Sequence, residues 1–386
     1  MTVVNLLGAT GSIGDSALSV IRGHHDFYKI NAITAGSNVE KLAKIAIEFS
    51  SKIVAIADDS KYLELKSLLS SHPDIKIVAG NEGVLYAAQS NADITLSAIV
   101  GFAGLKPTIA AMKGSKTIAL ANKESLVCGG KLLLAQAAQH SVKIIPVDSE
   151  HNALFQVFEA QNAANVDRIT ITASGGALRD LTKAQMENVT PQMALKHPNW
   201  SMGPKITVDC ATLANKGLEF IEAGMLFPVE PDKIDVLIHP QSIIHGMVHY
   251  SDGSVLAHLA NPDMRVSIAG AFASPSRLNI NYRPLDLGKL GTLSFAQPDY
   301  ERFPMLQLAI ECFKMGQDAL ITYNTANELA VGAFLHHQIS FLDIYKIVAK
   351  CVHIRTQASI DNIEMVYDYN SQVILLAEQI IKSKNY

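Results

Sequence analysis

The sequence has few cysteines, and none has the spacing of a metal site. The 386 residues include four cysteines, at positions 128, 210, 312 and 351, and no two of them form a C-x-x-C pair. Disulfide frameworks and thiolate zinc sites both need clustered or regularly spaced cysteines, so neither is expected. Scattered thiols favour a reducing compartment, and we therefore predict a cytoplasmic protein.

Charged residues and long apolar runs are also scarce. Charged side chains make up 18% of the chain, and the formal net charge of -4 provides no basic field for nucleic acid. No run of eighteen apolar residues occurs, and the first residues already read as a strand, so neither a membrane span nor a signal peptide is expected. Hydrophobic residues, by contrast, are abundant and make up 48% of the chain. This composition is typical of a well-buried enzyme of two or three domains.

Short apolar strands alternate with helical patterns over residues 1–147. This order predicts a Rossmann-type α/β domain, in which helices cover both faces of a parallel sheet. Residues 148–275 predict an α+β catalytic domain with a mobile loop at about 177–204. Residues 276–300 read as a linker, and residues 301–386 as a C-terminal helical bundle. The strands predicted for the first domain are Val3–Leu7, Ile30–Thr34, Ile53–Ala57, Ile75–Val78, Ile94–Ser97, Thr117–Leu120 and Val142–Val147.

A glycine-rich turn lies between the first predicted strand and the first predicted helix. Its sequence, Gly8-Ala9-Thr10-Gly11-Ser12-Ile13-Gly14, has the spacing G-x-x-G-x-x-G. Glycines there allow a tight turn, and the helix N-terminus attracts a pyrophosphate, so the turn predicts a dinucleotide site. The second strand ends at Ala35-Gly36-Ser37-Asn38, which has no acid for a ribose 2′-hydroxyl and thus favours NADP. Asn38 also fits a helix cap.

Acidic residues follow the last strand of this domain, in Val147-Asp148-Ser149-Glu150-His151. If the strand continues through them, Asp148 and Glu150 leave on the same side and could bind a hard divalent cation. The alternative is a solvated loop. Another strand ends at Ala121-Asn122-Lys123-Glu124, where Lys123 either points into the crevice of the sheet or lies in solvent.

The middle of the chain contains two further groups of polar residues. Asn215, Lys216 and Glu219 share one face if residues 209–226 form one helix, and could bind a metal and a phosphate together. The alternative is a surface ion pair. Trp200 is the only tryptophan and lies in a loop rich in proline and glycine, which is typical of a lid, although it could be a buried anchor. The pair His239 and His245 is interpreted as making buried hydrogen bonds.

Several of these motifs belong together in one family. HPNWSMG at 197–203 and NKGLEFIEA at 215–223 occur with DSEHNA and LANKESLV. On these residues the chain resembles the 1-deoxy-D-xylulose 5-phosphate reductoisomerase family over essentially its whole length. The matching stretches are Gly8–Gly14, Ala121–Leu126, Val147–Asn152, Ser174–Gly176, His197–Gly203, Val208–Glu222, His239–His245, Asp252–Leu256, Pro262–Arg265 and Asn324–Ala333.

The resemblance implies an enzyme of the non-mevalonate isoprenoid pathway. It would convert 1-deoxy-D-xylulose 5-phosphate, a sugar phosphate, to 2-C-methyl-D-erythritol 4-phosphate with NADPH and Mg²⁺, Mn²⁺ or Co²⁺. The family also implies a homodimer. Two alternative functions remain open: a metal-free NADP-dependent dehydrogenase, and an inactive NADP-binding regulator.

The resemblance also implies roles for individual residues. The metal ligands would be Asp148, Glu150 and Glu219, and the catalytic residues Glu150, Lys123, His197 and Trp200. The substrate contacts would be Lys123, Ser149, Glu150, Ser174, His197, Cys210, Asn215, Lys216 and Glu219. The NADPH contacts would be Thr10, Gly11, Ser12, Ile13, Gly36, Ser37, Asn38, Asn122, Glu124 and Gly203.

Three positions depart from the family pattern. Ala9 replaces a serine of the glycine turn, which is a mild change. Ser37 stands where a basic residue is common, which affects how the 2′-phosphate of NADPH is bound. Cys210 replaces a serine after Asp209, and because a thiol is a weaker donor than a hydroxyl, one hydrogen bond to the substrate phosphate should be weaker.

Overall fold

The computed structural model describes residues 1–386, which divide into two compact units. The first unit comprises Met1–Ser125, Leu133–Asn152 and Asp263–Tyr282. The second comprises Leu126–Leu132, Ala153–Pro262 and Arg283–Tyr386. No helix combines the length and the hydropathy needed to cross a bilayer. The predicted domain boundaries at 147, 275 and 300 stay predictions.

The first unit contains a parallel sheet of seven strands, in the order β4-β3-β2-β1-β5-β6-β7. All seven predicted strands are present, and the Rossmann-type fold is confirmed. The inner strands are mostly apolar and mostly buried, because helices lie along both faces of such a sheet. The strands are β1 (Thr2–Leu7), β2 (Tyr28–Ala35), β3 (Ile53–Ile56), β4 (Lys76–Ala79), β5 (Ala92–Ser97), β6 (Ser115–Leu120) and β7 (Lys143–Pro146).

The second unit contains a mixed sheet of four strands, in the order β11-β10-β8-β9. β10 is antiparallel to both of its neighbours, whereas β9 is parallel to β8. β11 lies at one edge, with Val255 and Leu256 exposed. The strands are β8 (Val166–Ala173), β9 (Ile234–Ile238), β10 (Ile244–Tyr250) and β11 (Val255–Leu259).

Helices surround both sheets, and the last four form the predicted bundle. Their starts follow local chemistry: Asn38 caps the second helix through the amide of Lys41, and Ser340 and Asp343 form a capping box. The helices are α1 (Ser12–Arg22), α2 (Val39–Glu48), α3 (Tyr62–Leu68), α4 (Gly80–Ala88), α5 (Leu105–Ala111), α6 (Lys123–Gln139), α7 (Ser149–Val157), α8 (Lys183–Met186), α9 (Pro191–Ala194), α10 (Pro204–Thr212), α11 (Ala214–Leu226), α12 (Met264–Ala273), α13 (Leu287–Leu290), α14 (Met305–Met315), α15 (Gln317–Leu335), α16 (Phe341–Ile354) and α17 (Ile363–Ser383).

One predicted helix is in fact two. The prediction of a continuous helix over 209–226 is wrong, because Leu213 adopts a left-handed conformation with φ of 62° and separates α10 from α11. A non-glycine residue in this region costs about 1–3 kcal/mol, so the turn persists only because its surroundings hold it. Leu213 is only 3% exposed, which agrees with a turn fixed by packing.

Candidate functional site

The glycine turn has the geometry of a dinucleotide-binding turn. Gly8 has φ of 89°, and a Cβ there would lie 2.6 Å from the Ala98 carbonyl oxygen. A Cβ on Gly14 would lie 2.3 Å from the Ala9 carbonyl oxygen, so both positions need glycine. Gly11 begins α1 without a side-chain cap, which leaves the first amides of this helix to bind an anion.

The predicted NADPH contacts of the first unit lie at three strand ends. Thr10, Gly11, Ser12 and Ile13 follow β1, whereas Gly36, Ser37 and Asn38 follow β2. Asn122 and Glu124 follow β6. Asn122 is buried and caps α6, and its amide donates to the carbonyl oxygens of Ile99 at 2.5 Å and Gly101 at 3.0 Å. The remaining residue, Gly203, is in the second unit, where it begins α10.

Asp148 is the centre of a buried group of charges in the first unit. Its carboxylate is ion-paired with Lys123, and it accepts a hydrogen bond from His151 Nδ1 at 3.2 Å. Burial alone would raise the pKa of Asp148, but the Lys123 ammonium and His151 hold this pKa well below its usual range. Asp148 is therefore an ionised carboxylate whose charge is balanced by a neighbouring cation.

The backbone leaves strand geometry just before these acids. β7 ends at Pro146 and α7 begins at Ser149, so the prediction that Asp148 and Glu150 leave on the same side of a continuing strand is wrong. The two residues nevertheless offer carboxylate oxygens within 4.8 Å of one another. Ser149, in the first turn of α7, donates a hydrogen bond to Glu150. Two carboxylates at this distance fit the oxygen donors that Mg²⁺ prefers.

A second group of buried charges lies on the first two turns of α11, in the second unit. Asn215 and Lys216 both donate hydrogen bonds to the Glu219 carboxylate. The three side chains are 8%, 3% and 1% exposed, which rules out a solvated surface ion pair. The expectation that they share one helix face is confirmed, and because α11 begins after Leu213, Asn215 and Lys216 lie in its first turn, where backbone amides favour anions.

His197 organises the loop that contains the tryptophan. Its Nδ1 accepts hydrogen bonds from the backbone amides of Asn199 at 3.2 Å and Trp200 at 3.0 Å. Nδ1 must therefore be unprotonated, and Nε2 carries the hydrogen that is donated to Ser174 Oγ at 2.9 Å. Burial, together with the charge of Arg179, lowers the pKa of His197. The ring is thus held neutral in a single tautomer.

The same loop is held against the turn after β9. The Asn199 side chain donates to the Pro240 carbonyl oxygen at 2.6 Å and to Ser242 Oγ at 2.9 Å. The Trp200 ring lies edge-on to His245, with 6.2 Å between the ring centroids. Trp200 is partly exposed, so it is not an ordinary core anchor.

The histidines around this turn behave as the sequence suggested. His239 Nδ1 donates to the Ser294 carbonyl oxygen at 2.8 Å, and His245 Nε2 donates to that of Ala260 at 3.3 Å. Burial lowers the pKa of His245 to about 4. The interpretation of both as buried, hydrogen-bonded histidines is confirmed.

The backbone of Cys210 lies against Gly176, which follows β8. A Cβ on Gly176 would lie 2.4 Å from the Cys210 carbonyl oxygen, so the two backbones are in close contact. The amide of Gly176 also donates to Ser174 Oγ at 3.1 Å. Ser174, Gly176 and Cys210 therefore lie close together within the second unit.

The sequence did not reveal a buried network of polar side chains that joins α10 to α15. Asp209 is 1% exposed, pairs with Lys205 at 2.8 Å and accepts a hydrogen bond from the Asn327 amide at 2.8 Å. The i, i+4 spacing of Lys205 and Asp209 indicated the first contact. The second joins residues 118 positions apart, and no local pattern could reveal it.

The chain matches three models of known families. Residues 4–130 match 1-deoxy-D-xylulose 5-phosphate reductoisomerase, residues 144–227 match the C-terminal domain of that enzyme, and residues 259–374 match the DXP reductoisomerase C-terminal domain. A curated relative from Zymomonas mobilis, named 1-deoxy-D-xylulose 5-phosphate reductoisomerase, is 47% identical over 98% of both chains. The chain belongs to the 1-deoxy-D-xylulose 5-phosphate reductoisomerase family.

Other members of this reductoisomerase family agree over the full length. The enzyme from Tolumonas auensis is 44% identical over 99% of both chains. The Zymomonas mobilis reductoisomerase in complex with NADPH superimposes with a TM-score of 0.92, at 45% identity and 99% coverage of both chains. A reductoisomerase in complex with NADPH, fosmidomycin and magnesium gives 0.95, at 41% identity, covering 99% of this chain and 98% of the other. The predicted family is therefore confirmed.

Proposed function

We propose that this reductoisomerase converts 1-deoxy-D-xylulose 5-phosphate to 2-C-methyl-D-erythritol 4-phosphate, using NADPH and a divalent cation, in the non-mevalonate pathway to isoprenoid precursors. The observation that carries the proposal is the pair of buried groups around Asp148 and Glu219. Each holds a buried carboxylate paired with a lysine, as expected for residues that bind a cation and an anionic substrate. Relatives of high identity form complexes with NADPH and with magnesium.

The donor chemistry fits a hard divalent cation. Asp148, Glu150 and Glu219 supply carboxylate oxygens, the ligands that Mg²⁺ and Mn²⁺ prefer. Lys123 and Lys216 now balance the charges of Asp148 and Glu219. A cation held by the three acids would balance their charges, and the two lysines would then be available to donate hydrogen bonds to oxygens of the substrate.

The substrate phosphate would bind to residues of the second unit. Ser174 Oγ already accepts hydrogen bonds from His197 and from the Gly176 amide, so its own hydrogen remains available to an anion. Asn215 and Lys216 add donors at the first turn of α11. Cys210, beside Gly176, would contribute a weak thiol donor.

The other groups of the site would each take one role in the rearrangement and reduction. A bound cation supplies a Lewis acid that polarises a carbonyl group of the sugar, and NADPH at the glycine turn supplies the hydride. Ser149 and Lys123 would orient the sugar oxygens, and Glu150 is one of the groups that could accept the first proton. Trp200 and the His197 loop exclude water from the reacting atoms, and binding of the remote phosphate helps to close this loop.

The substitution Glu219→Gln tests the metal assignment. It preserves the size of the side chain and its bond to Asn215, but it removes one negative charge. We expect turnover to fall by about 100-fold or more while NADPH affinity changes less than about twofold, because the glycine turn is untouched. Turnover is followed by the loss of NADPH absorbance, and NADPH affinity by its fluorescence. Full activity in this variant would exclude Glu219 as a ligand.

We also propose that two copies form a homodimer through the edge strand β11. Val255 and Leu256 are 47% and 38% exposed at this edge, and apolar edge strands favour pairing with a second chain. Sedimentation should give twice the chain mass for the wild type and a lower mass for Leu256→Lys. A wild type that sediments as a monomer contradicts this interface.

We place the protein in the cytoplasm. Its four cysteines are all free thiols, and three of them are buried, which suits a reducing compartment. Fractionation of cells with an antibody against the chain checks the assignment, and recovery from an oxidising compartment would contradict it.

A further inference from the structure

Lys41 connects the end of β2 with the glycine turn. It lies in the first turn of α2, and its ammonium donates to the Thr10 carbonyl oxygen at 2.9 Å and pairs with Asp15 at 2.7 Å. The backbone of Lys41 is fixed as well, because its amide donates to the Asn38 side chain at 3.1 Å. A positive charge is thus held between the two segments that bind a dinucleotide in Rossmann-type sheets.

The position of this charge matters because of where the adenosine ribose binds. In this fold the pyrophosphate binds at the first glycine turn, and the ribose binds at the end of the second strand. An acid there selects the 2′-hydroxyl of NAD, whereas a basic side chain accommodates the 2′-phosphate of NADP. Neither Ser37 nor Asn38 carries a charge, and the space beside Gly36 is open, because a Cβ added there would meet nothing within 4 Å.

None of the neighbouring charged residues offers an unpaired cation close to the end of β2 that could bind the 2′-phosphate in place of Lys41. Lys61 pairs with Glu64 at 2.9 Å, and Lys44 points to solvent one turn further along α2. Asp58, whose amide donates to the Gly36 carbonyl oxygen, uses its carboxylate to accept from Ser60. Asp15 is 54% exposed and already paired with Lys41, and Glu40, in the first turn of α2, is exposed.

We infer that Lys41 determines the preference for NADPH over NADH by binding the 2′-phosphate, to which the uncharged Ser37 and Asn38 add only neutral hydrogen bonds. The inference rests on the proposed NADPH site. The Lys41 side chain is 35% exposed, so its ammonium can turn from Asp15 to a phosphate without disturbing the core. The doubly charged phosphate attracts the ammonium more strongly than a half-exposed carboxylate does.

The test compares NADPH and NADH binding to the intact protein without any sugar phosphate. Lys41→Ala should weaken NADPH binding about tenfold, the factor expected for the loss of one charged hydrogen bond, and change NADH binding less than about twofold. The affinity for adenosine 2′,5′-bisphosphate should weaken in parallel, whereas the affinity for AMP should not. Lys41→Arg should retain the preference, and Lys44→Ala, the matched control on the same helix, should behave as the wild type.

Two results would overturn the inference. Equal weakening of NADPH and NADH would show that Lys41 acts by holding Thr10 and the glycine turn. Unchanged NADPH binding in Lys41→Ala would show that other groups bind the 2′-phosphate. Because these measurements need no substrate, they are independent of turnover: wild-type protein that binds NADPH but does not consume 1-deoxy-D-xylulose 5-phosphate contradicts the proposed function alone.

Discussion

At the residue scale, Cys210 offers a direct test of the proposed phosphate site. The thiol is partly buried, and its backbone contacts Gly176, next to Ser174. Cys210→Ser should lower the KM for the phosphorylated substrate about two- to fivefold, because a hydroxyl donates a stronger hydrogen bond than a thiol. Steady-state kinetics at saturating NADPH measures this value, and Cys210→Ala serves as the control without a donor. An unchanged or raised KM in Cys210→Ser would show that the thiol does not contact the phosphate.

The burial of His245 predicts how the free energy of unfolding depends on pH. Burial, helped by the nearby His258, lowers the pKa of His245 from 6.5 to about 4, so the folded protein favours the neutral ring. The stabilisation this gives is present above pH 6.5 and is lost as the pH falls from 6.5 to 4, because the unfolded chain then binds the proton more tightly. The loss should be about 3 kcal/mol.

The substitution His245→Gln isolates this contribution. An amide can still donate to the Ala260 carbonyl oxygen but does not titrate in this range. Denaturation by urea at pH 7 and at pH 4 should show a smaller decrease in the free energy of unfolding for the variant than for the wild type. Equal decreases would show that His245 does not titrate as its burial implies.

At the element scale, α11 depends on close packing at Gly217. A Cβ there would lie 2.6 Å from Ala309 Cβ and 2.9 Å from Tyr323 Oη, both of which are fully buried. Gly217→Ala should therefore destabilise the protein by about 1–3 kcal/mol through overpacking, despite the gain in helix propensity. Gly332→Ala, in α15, meets nothing within 4 Å and should stabilise by about 0.5–1 kcal/mol. Thermal unfolding of both variants is the measurement, and shifts in the same direction would contradict the packing argument.

Elements with strong periodicity could be predicted from the sequence, and those that depend on distant contacts could not. The seven strands of the first sheet and the four C-terminal helices follow from their apolar patterns. The break at Leu213 carries no local signal, because leucine normally continues a helix. The turn before α7 was missed for the same reason: an apolar run does not show at which residue pairing ends.

The residues of the candidate site divide in the same way, into those with a local pattern and those that depend on distant contacts. Residues with a motif or helical spacing, such as Asn215, Lys216 and Glu219, could be found by sequence alone. Lys41 and Asn327 could not, because each makes its contact with a segment far along the chain. The tautomer of His197 also needed coordinates, since it is set by the amides of Asn199 and Trp200.

At the scale of the whole molecule, the order of strands and the composition of the two units are beyond local patterns. Residues 263–282 return to the first unit after the chain has built the second sheet. There α12 packs against α1, and Phe272 lies 5.7 Å from Tyr28 between ring centroids. Such a return depends on tertiary packing, which periodicity does not report.

The central claim is that this protein uses a cation bound by carboxylates to reduce a specific sugar phosphate. The most direct measurement is NADPH oxidation by purified wild-type protein with 1-deoxy-D-xylulose 5-phosphate, first after EDTA treatment and then after addition of Mn²⁺ or Mg²⁺. We predict no oxidation after EDTA, restored oxidation with either metal, and formation of 2-C-methyl-D-erythritol 4-phosphate. Full activity after removal of the metal, or no oxidation of NADPH with the metal present, would contradict this claim.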